Sequence, residues 1–187
     1  MHTWAWIVLI IVAVVVGAGL AWTYLRRERT KALAGHFGPE YDRTVTQYGD
    51  RGRAEAVLEA REERVSQLDI HPLSRDDRAR FGAAWLSVQQ RFVDDPSGAV
   101  GEADGLVQQL MRARGYPVGD FDERAADISV SYPDLVENYR AAHRIAERNS
   151  HGEASTEDLR QAMIHYRSLF DELLGAGERV AEREARR

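Results

Sequence analysis

Cysteine is absent from the 187 residues of this sequence, which excludes disulfide bonds, thiolate metal sites and cysteine catalysis. Proline occurs only five times, and no stretch of alternating apolar and β-branched residues is long enough to indicate a sheet. Neither a glycine-rich phosphate loop nor a recognised nucleophile motif is present. We therefore predict an all-α protein, and we expect no enzymatic activity and no cofactor.

Charged side chains are missing from residues 3–25, a run long enough to cross a bilayer once as a helix. The run lacks the basic leading region and the small-residue cleavage site of a secretory signal, which favours a permanent anchor over a removed leader. Aromatic residues typical of the membrane interface stand at both of its ends: Trp4, Trp6, Trp22 and Tyr24. The sequence thus predicts a transmembrane helix in contact with the lipid bilayer.

Basic residues follow the apolar run and none precedes it, an asymmetry that keeps the following segment in the cytoplasm. These residues are Arg26, Arg27, Arg29 and Lys31. We predict a single-pass protein of the cell (inner) membrane with its amino terminus outside and its soluble part cytoplasmic. Small residues also recur every four positions in the run, at Ala13, Gly17 and Ala21. Such a face lets two helices approach closely and suggests a homo-oligomer, although the pattern is frequent by chance.

The distal part of the chain is acidic. Residues 81–187 carry 13 basic and 19 acidic side chains, whereas residues 26–80 carry 12 and 11. An acidic domain repels phosphate backbones, so we expect no binding of nucleic acid.

Helical periodicity divides the remainder into a basic segment with connecting helices at 26–73, a bundle of about four main helices at 74–174 and a charged, disordered tail at 175–187. Predicted helix starts in the bundle are Ser74, Asp95 and Ser155, and Gly115 is a predicted stop. A short helix is also predicted at 122–129. The four apolar stripes comprise Phe81, Trp85, Val88 and Phe92; Val100, Ala103, Val107 and Leu110; Leu135, Tyr139, Ala142 and Ala146; and Leu159, Met163, Tyr166, Phe170 and Leu173.

Two groups of polar residues suggest chemistry. The oxygen donors of a divalent-metal or hydrolytic site are available in Asp94, Asp95, Glu102 and Asp104, with His143 as a further ligand. The more economical interpretation is structural, because Asp95 serves as a helix cap and a single histidine on an apolar stripe is usually a core residue. A phosphate or carboxylate site at the "YR" pairs, Tyr139 with Arg140 and Tyr166 with Arg167, is likewise less favoured than chance placement. There we expect free hydroxyls and solvent-facing arginines.

The motif "MRARGYPV" at 111–118 combines a helix-ending glycine with a proline that prevents the helix from resuming. Its apolar side chains can fold back over the end of the bundle. If they stay exposed, they form a candidate docking patch: Tyr116, Val118 and Phe121.

Five stretches resemble a family of uncharacterised proteins with one amino-terminal span, found in actinobacteria and other high-GC bacteria and labelled membrane or secreted. These are "FGPEYDR" at 37–43, "RFVDDP" at 91–96, "EAD" at 102–104, "MRARGYPV" at 111–118 and "ENYRAAH" at 137–143. The resemblance covers residues 36–174 and implies a bacterial origin and an anchored helical domain, with no activity, cofactor or catalytic residue.

The favoured hypothesis is therefore a membrane-tethered, non-catalytic helical adaptor that binds another protein at the membrane. The alternative is a metal-dependent or hydrolytic enzyme that uses the Asp94, Asp95, Glu102, Asp104 and His143 cluster.

Overall fold

The computed structural model describes the backbone of residues 3–185 and the side chains of residues 16–175. The described chain consists of eight α-helices and contains no strand, which confirms the all-α prediction. The helices are α1 (Thr3–Phe37), α2 (Pro39–Tyr48), α3 (Arg51–Ser66), α4 (Arg75–Asp94), α5 (Pro96–Ala113), α6 (Phe121–Ser131), α7 (Val136–Ser150) and α8 (Thr156–Ala185). The predicted disordered tail falls mainly on residues 176–187, whose side chains lie outside the described part, and it stays a prediction.

Helix α1 contains the apolar run and continues through the basic residues to Phe37. A single residue, Gly38 with a φ of 50°, separates α1 from α2, and Pro39 occupies the first turn of α2. In the part of the chain whose side chains are described, no helix is long and apolar enough to cross a membrane. The side chains of Trp4, Trp6 and Ala13 lie outside that part.

The contacts divide the chain into two compact units, Met1–Leu58 and Glu59–Arg187. The boundary lies within α3, earlier than residue 74, where the sequence placed the start of the bundle. In the first unit, the Glu55 carboxylate of α3 accepts hydrogen bonds from Thr30 of α1 at 2.8 Å and from the Tyr41 hydroxyl of α2 at 2.9 Å. One buried carboxylate thus links the three helices of this unit.

The second unit is a bundle in which α5 packs against α4 and α8, and α7 packs against α8. The predicted stripe of α5 is fully buried, as is Tyr166 of α8. Phe81, Trp85 and Val88 of α4 are buried as well, and the Trp85 ring stacks on the Phe170 ring at a centroid distance of 4.6 Å. These positions confirm the helical bundle.

The predicted helix starts are also confirmed. Ser74 accepts a hydrogen bond from the Asp77 backbone N–H at 3.0 Å, and Asp95 accepts one from the Gly98 N–H at 2.9 Å. Ser155 and Asp158 form a reciprocal cap. Each cap satisfies N–H groups that have no partner inside the helix, so these short local motifs set where the bundle helices begin.

The turn after α5 joins residues 67–73 to the bundle. Arg114 is buried, and its guanidinium donates to the His71 carbonyl at 3.2 Å, to the Tyr132 hydroxyl at 2.9 Å and to the Leu173 carbonyl at 3.0 Å. Gly115 follows with a φ of 92°, and its α-carbon faces the backbone carbonyl of Asp69. A side chain at position 115 would meet both the left-handed backbone and that carbonyl.

We expect Gly115→Ala to lower the free energy of unfolding by at least about 2 kcal/mol more than Gly152→Ala does. Both glycines have a positive φ, 92° at Gly115 and 74° at Gly152, so both alanines carry the left-handed cost of about 1–2 kcal/mol. At Gly115 the added methyl group would overlap the backbone carbonyl of Asp69. At Gly152 no atom lies within 4 Å of the position that the methyl group would take. Denaturant unfolding followed by circular dichroism measures both losses. Equal losses would contradict the steric contribution of the Asp69 carbonyl.

Candidate functional site

The structure disperses the predicted acidic cluster instead of assembling it. Near the junction of α4 and α5, Asp95 caps α5 through the Gly98 N–H, and Glu102 forms an ion pair with Arg91. The Arg91 Nε also lies 3.8 Å from Asp95 Oδ2. Asp94 is exposed. One arginine therefore compensates the charges of Asp95 and Glu102, which face solvent instead of converging in a cleft.

Asp104 is occupied by hydrogen bonds within the bundle. Its Oδ1 accepts from the Tyr166 hydroxyl at 2.9 Å, and its Oδ2 accepts from the Gln108 amide at 2.7 Å. Burial raises the pKa of Tyr166, and the neighbouring Asp104 charge raises it further. Tyr166 therefore stays a neutral donor, and the partly buried Asp104 acts as its acceptor.

His143 stands apart from these carboxylates. Its imidazole stacks on the Phe121 ring with a centroid distance of 3.6 Å, and its Nε2 lies 3.6 Å from the Glu147 carboxylate. Its Nδ1 is buried and has no hydrogen-bond partner. Among the described residues, no group of three or more His, Asp or Glu side chains could hold a metal ion. The structure thus does not bring the five residues of the predicted metal or hydrolytic site together.

The tyrosines of the "YR" pairs meet inside the bundle. The rings of Tyr139 and Tyr166 lie 6.4 Å apart, edge to face. Arg124 of α6 is buried and donates to the Tyr139 hydroxyl at 3.1 Å. Burial raises the pKa of Tyr139, and hydrogen bonding to Arg124 opposes that rise. The expectation of free hydroxyls is wrong, because Arg124 and Asp104 occupy them.

The arginines of these pairs differ from each other. Arg140 is 7% exposed, so the expectation that it reaches solvent is wrong, whereas the side chain of Arg167 is 60% exposed. Arg167 Nε lies 3.4 Å from Asp171 Oδ2. The two pairs therefore do not present matching cations to a shared phosphate or carboxylate.

The candidate docking patch is folded onto the bundle. Tyr116 is only 3% exposed, and its hydroxyl donates to Ser131 at 2.8 Å. Val118 and Phe121 are partly buried and pack against the same core. Of the two alternatives that the sequence left open, the structure has the one in which these side chains fold back over the bundle, so the condition for an exposed docking patch is not met.

An ion pair that the sequence did not indicate joins α3 to α6. Arg64 lies 2.5 Å from Asp127, whose side chain is 1% exposed, and Arg61 of the same helix donates to Ser129 at 3.3 Å. Burial raises the pKa of Asp127, and the charge of Arg64 opposes that rise. No local sequence pattern could indicate this ion pair, because its two residues, Arg64 and Asp127, are far apart in the chain.

Among the described residues of the second unit, two surface depressions bear on binding. A broad one of about 670 Å³ follows α7, and its arginines are paired with carboxylates of the same chain, Arg144 with Glu137 and Arg148 with Asp158. A narrower one of about 160 Å³ lies between α4 and α8, and we call it the α4/α8 groove. It is lined by Trp85, Gln89, Phe92, Arg160, Met163, Ile164 and Arg167.

Some large apolar side chains of α4 and α8 are exposed. Among the described residues of the second unit, the exposed large hydrophobic side chains are Leu86, Val93 and Ile164, with exposed fractions of 60%, 82% and 44%. Leu86, Gln89 and Val93 share one stripe of α4 by their spacing of three and four residues. The sequence contained a signal for this surface, since Leu86 and Val93 each follow a residue of the buried stripe and cannot share its face.

The chain matches no protein-family model, no curated protein and no solved structure. The resemblance to single-span bacterial proteins at residues 36–174 therefore stays a prediction.

We expect Arg64→Met to lower the free energy of unfolding by about 2 kcal/mol at pH 7, less than the ~3–5 kcal/mol of a fully buried pair because Arg64 is partly exposed. Without Arg64, the folded-state pKa of Asp127 rises further above its unfolded value of about 3.9. Between these two values the folded chain binds more protons, so stability is lost as the pH rises. The deficit relative to the unsubstituted chain should therefore be largest at pH 7 and shrink toward pH 4.

Urea unfolding across this pH range checks the expectation. Arg64→Met combined with Asp127→Asn is the matched control, because it removes the buried charge that the single variant leaves without its partner. The double variant should lose less stability than Arg64→Met at pH 7. A deficit of equal size at every pH would contradict the role assigned to Asp127.

Proposed function

We propose that this chain is a membrane-anchored helical module, without catalytic activity, that binds another protein chain at the cytoplasmic face of the membrane. The observation that supports it best is the surface of α1 between Val16 and Leu25. Every residue there is exposed, and the large apolar side chains Val16, Leu20, Trp22, Tyr24 and Leu25 are each 55–66% exposed. A helix that exposes apolar side chains on all its faces is suited to lipid.

The sequence extends this surface toward the amino terminus. Residues 3–25 carry no charge, and at about 1.5 Å per residue they cover roughly the 30 Å of a hydrocarbon core. Trp22 lies beside the guanidinium of Arg26, whose centre is 5.6 Å from the ring centroid. An aromatic residue followed by cations is typical of the cytoplasmic membrane interface, and this arrangement supports the proposed orientation.

A binding role, in preference to a chemical one, is supported by the state of the polar residues in the second unit. The carboxylates considered for metal or hydrolytic chemistry are used as caps, ion pairs and hydrogen-bond acceptors, as described above for Asp95, Glu102 and Asp104. Large apolar side chains, by contrast, are exposed on α4 and α8, at Leu86, Val93 and Ile164. Anchoring to a membrane raises the local concentration of the bundle for any chain that shares the same surface.

We expect the double substitution Val16→Arg and Leu20→Arg to release the full chain from membranes. Both positions are exposed, so folding should tolerate the change, whereas each arginine inside a bilayer costs about 2.5–3.5 kcal/mol of insertion free energy. Alkaline extraction of membranes followed by detection in pellet and supernatant is the measurement. Leu86→Arg with Gln90→Arg is the matched control and should stay in the pellet. Release of the unsubstituted chain by alkali would contradict the anchor.

We also expect that, of two reporters fused after Arg187, only the one that functions in the cytoplasm is active, and the one that requires export is inactive. Four basic residues lie in the first two helical turns after the apolar run, and they should hold the carboxyl-terminal part of the chain in the cytoplasm. Replacing them with alanine should produce mixed orientation, with both reporter types active. Activity of an export-dependent reporter alone, on the unsubstituted sequence, would overturn the orientation and leave the anchor intact.

A further inference from the structure

We infer that the turn between α2 and α3 contacts the same membrane surface as the end of α1, and that arginines from both places bind the headgroups of anionic phospholipids there. This contact rests on the proposed function, because it names the lipid class that the anchored chain recognises. Four exposed arginines form the contact, two from α1 and two from the first turn of α3. We call them the four-arginine surface: Arg26, Arg27, Arg51 and Arg53.

The start of α3 lies beside the end of the apolar run. The Arg26 guanidinium of α1 lies 3.5 Å from the position that a β-carbon would take at Gly52 of α3. Three residues further along α3, Glu55 accepts a hydrogen bond from Thr30, which is four residues further along α1. The two helices therefore run side by side in the same direction. The first turn of α3 adjoins the residues that directly follow the uncharged run at 3–25.

Helix α2 brings an aromatic side chain to the same end of this unit. It begins after Gly38, at the far end of α1, and leads back to the start of α3. Near its beginning, the Tyr41 hydroxyl donates to Glu55 at 2.9 Å, so Tyr48, seven residues later, lies about 10 Å nearer the apolar run. Tyr48 is 40% exposed. Tyrosine is enriched at membrane interfaces, because its ring suits the apolar side and its hydroxyl suits the aqueous side.

The exposed surface of the first unit is basic, although its composition is nearly balanced. Residues 26–58 carry seven basic and five acidic side chains. All seven cations are exposed, whereas two of the acidic residues, Glu40 and Glu55, are only 2% and 7% exposed. Residues 59–187, by contrast, carry 18 basic and 25 acidic side chains. The first unit is therefore the part of the chain that suits an anionic membrane surface.

The cations of the four-arginine surface are available to an external anion. Among the described residues, Arg27, Arg51 and Arg53 form no ion pair, and the guanidinium of Arg26 lies over the Trp22 ring. One carboxylate adjoins this surface in the sequence, that of Asp50, and it accepts a hydrogen bond from the Arg53 backbone N–H at 2.8 Å. The four arginines exceed that single negative charge by three.

The headgroup layer of a bilayer fits this surface better than a free phosphate does. Arginine donates paired N–H groups to phosphate oxygens, and both anions offer such oxygens. A free phosphate offers nothing to the exposed Tyr48 ring, whereas a bilayer has an apolar region directly below its phosphates. The surface also continues from the end of the apolar run, so the membrane that holds that run would reach it.

The first test measures lipid preference with the full chain in vesicles. Electron paramagnetic resonance of spin-labelled lipids gives the ratio of the chain's association constants for phosphatidylglycerol and phosphatidylcholine. The unsubstituted chain should prefer phosphatidylglycerol by about fivefold or more. Arg51→Gln with Arg53→Gln should lower this preference by about threefold or more, because half of the four-arginine surface is lost. Neither residue belongs to the basic group that predicts orientation, so the anchor and its orientation should stay unchanged.

Arg112→Gln with Arg167→Gln is the matched control, since it removes the same charge from exposed positions of the second unit and should leave the preference unchanged. Circular dichroism verifies that both double variants fold. Equal association of the unsubstituted chain with the two lipids would overturn the inference. So would a preference that survives the loss of Arg51 and Arg53, or one that the control variant lowers equally, because the effect would then reflect net charge alone.

The second test measures the depth of the turn between α2 and α3. The chain contains no cysteine, so Tyr48→Cys carries the only spin label. Collisions with oxygen and with a water-soluble nickel complex report how deep the label lies, and we expect it among the headgroups. Gly35→Cys is the control and should report water, because it is exposed near the far end of α1 with no atom within 4 Å of the β-carbon position. Equal access of the nickel complex to both labels would overturn the contact.

Failure of this contact is distinguishable from failure of the proposed anchor. Flotation with vesicles of phosphatidylcholine alone reports on the anchor, because their surface has no net charge. A chain that floats with these vesicles and shows no preference for phosphatidylglycerol keeps the anchor and overturns the contact. A chain that floats only when phosphatidylglycerol is present overturns the anchor and supports the contact, and one that floats with neither overturns both.

Discussion

The burial of one face of α5 is the constraint on which the second unit depends. Ala99, Val100, Ala103, Val107 and Leu110 are all inaccessible to solvent, and α5 packs against both α4 and α8. The two alanines allow close approach of neighbouring helices, and the larger residues fill the space between them. This face is apolar and closely packed. Polar residues at its edge therefore form hydrogen bonds with each other, as the Tyr166 hydroxyl does with Asp104.

Features set by short spacing could be predicted from the sequence, and features that depend on distant partners could not. The caps at Ser74, Asp95 and Ser155 are predictable because each needs only residues within one turn. The stripes of α4, α5 and α8 are predictable because helical spacing determines which side chains share a face. The attachment of residues 59–73 to the bundle escaped prediction, since it depends on Arg64 meeting Asp127 and on the Arg114 hydrogen bonds.

The same distinction explains the candidate sites. Acidic residues that are close in sequence, such as Asp94 and Glu102, suggested a shared ligand, but Glu102 is paired with Arg91 and Asp94 faces solvent. The exposed character of Leu86 and Val93 followed from their position one residue beyond the buried stripe. The sequence could not show that Ile164, from a helix far along the chain, would line a groove together with Trp85 and Phe92 of α4. Surface patches that combine distant helices require the packing to be known.

The continuity of α1 has a mechanical consequence for an anchored chain. Residues 26–37 extend the helix beyond the apolar run by about 18 Å, with no proline or break inside it until Gly38. A continuous helix transmits rotation and tilt along its length, whereas a flexible linker would absorb them. Any torque applied to the apolar run would therefore be carried along the helix to Phe37, and Gly38 is the first break in the helix where the backbone could absorb it.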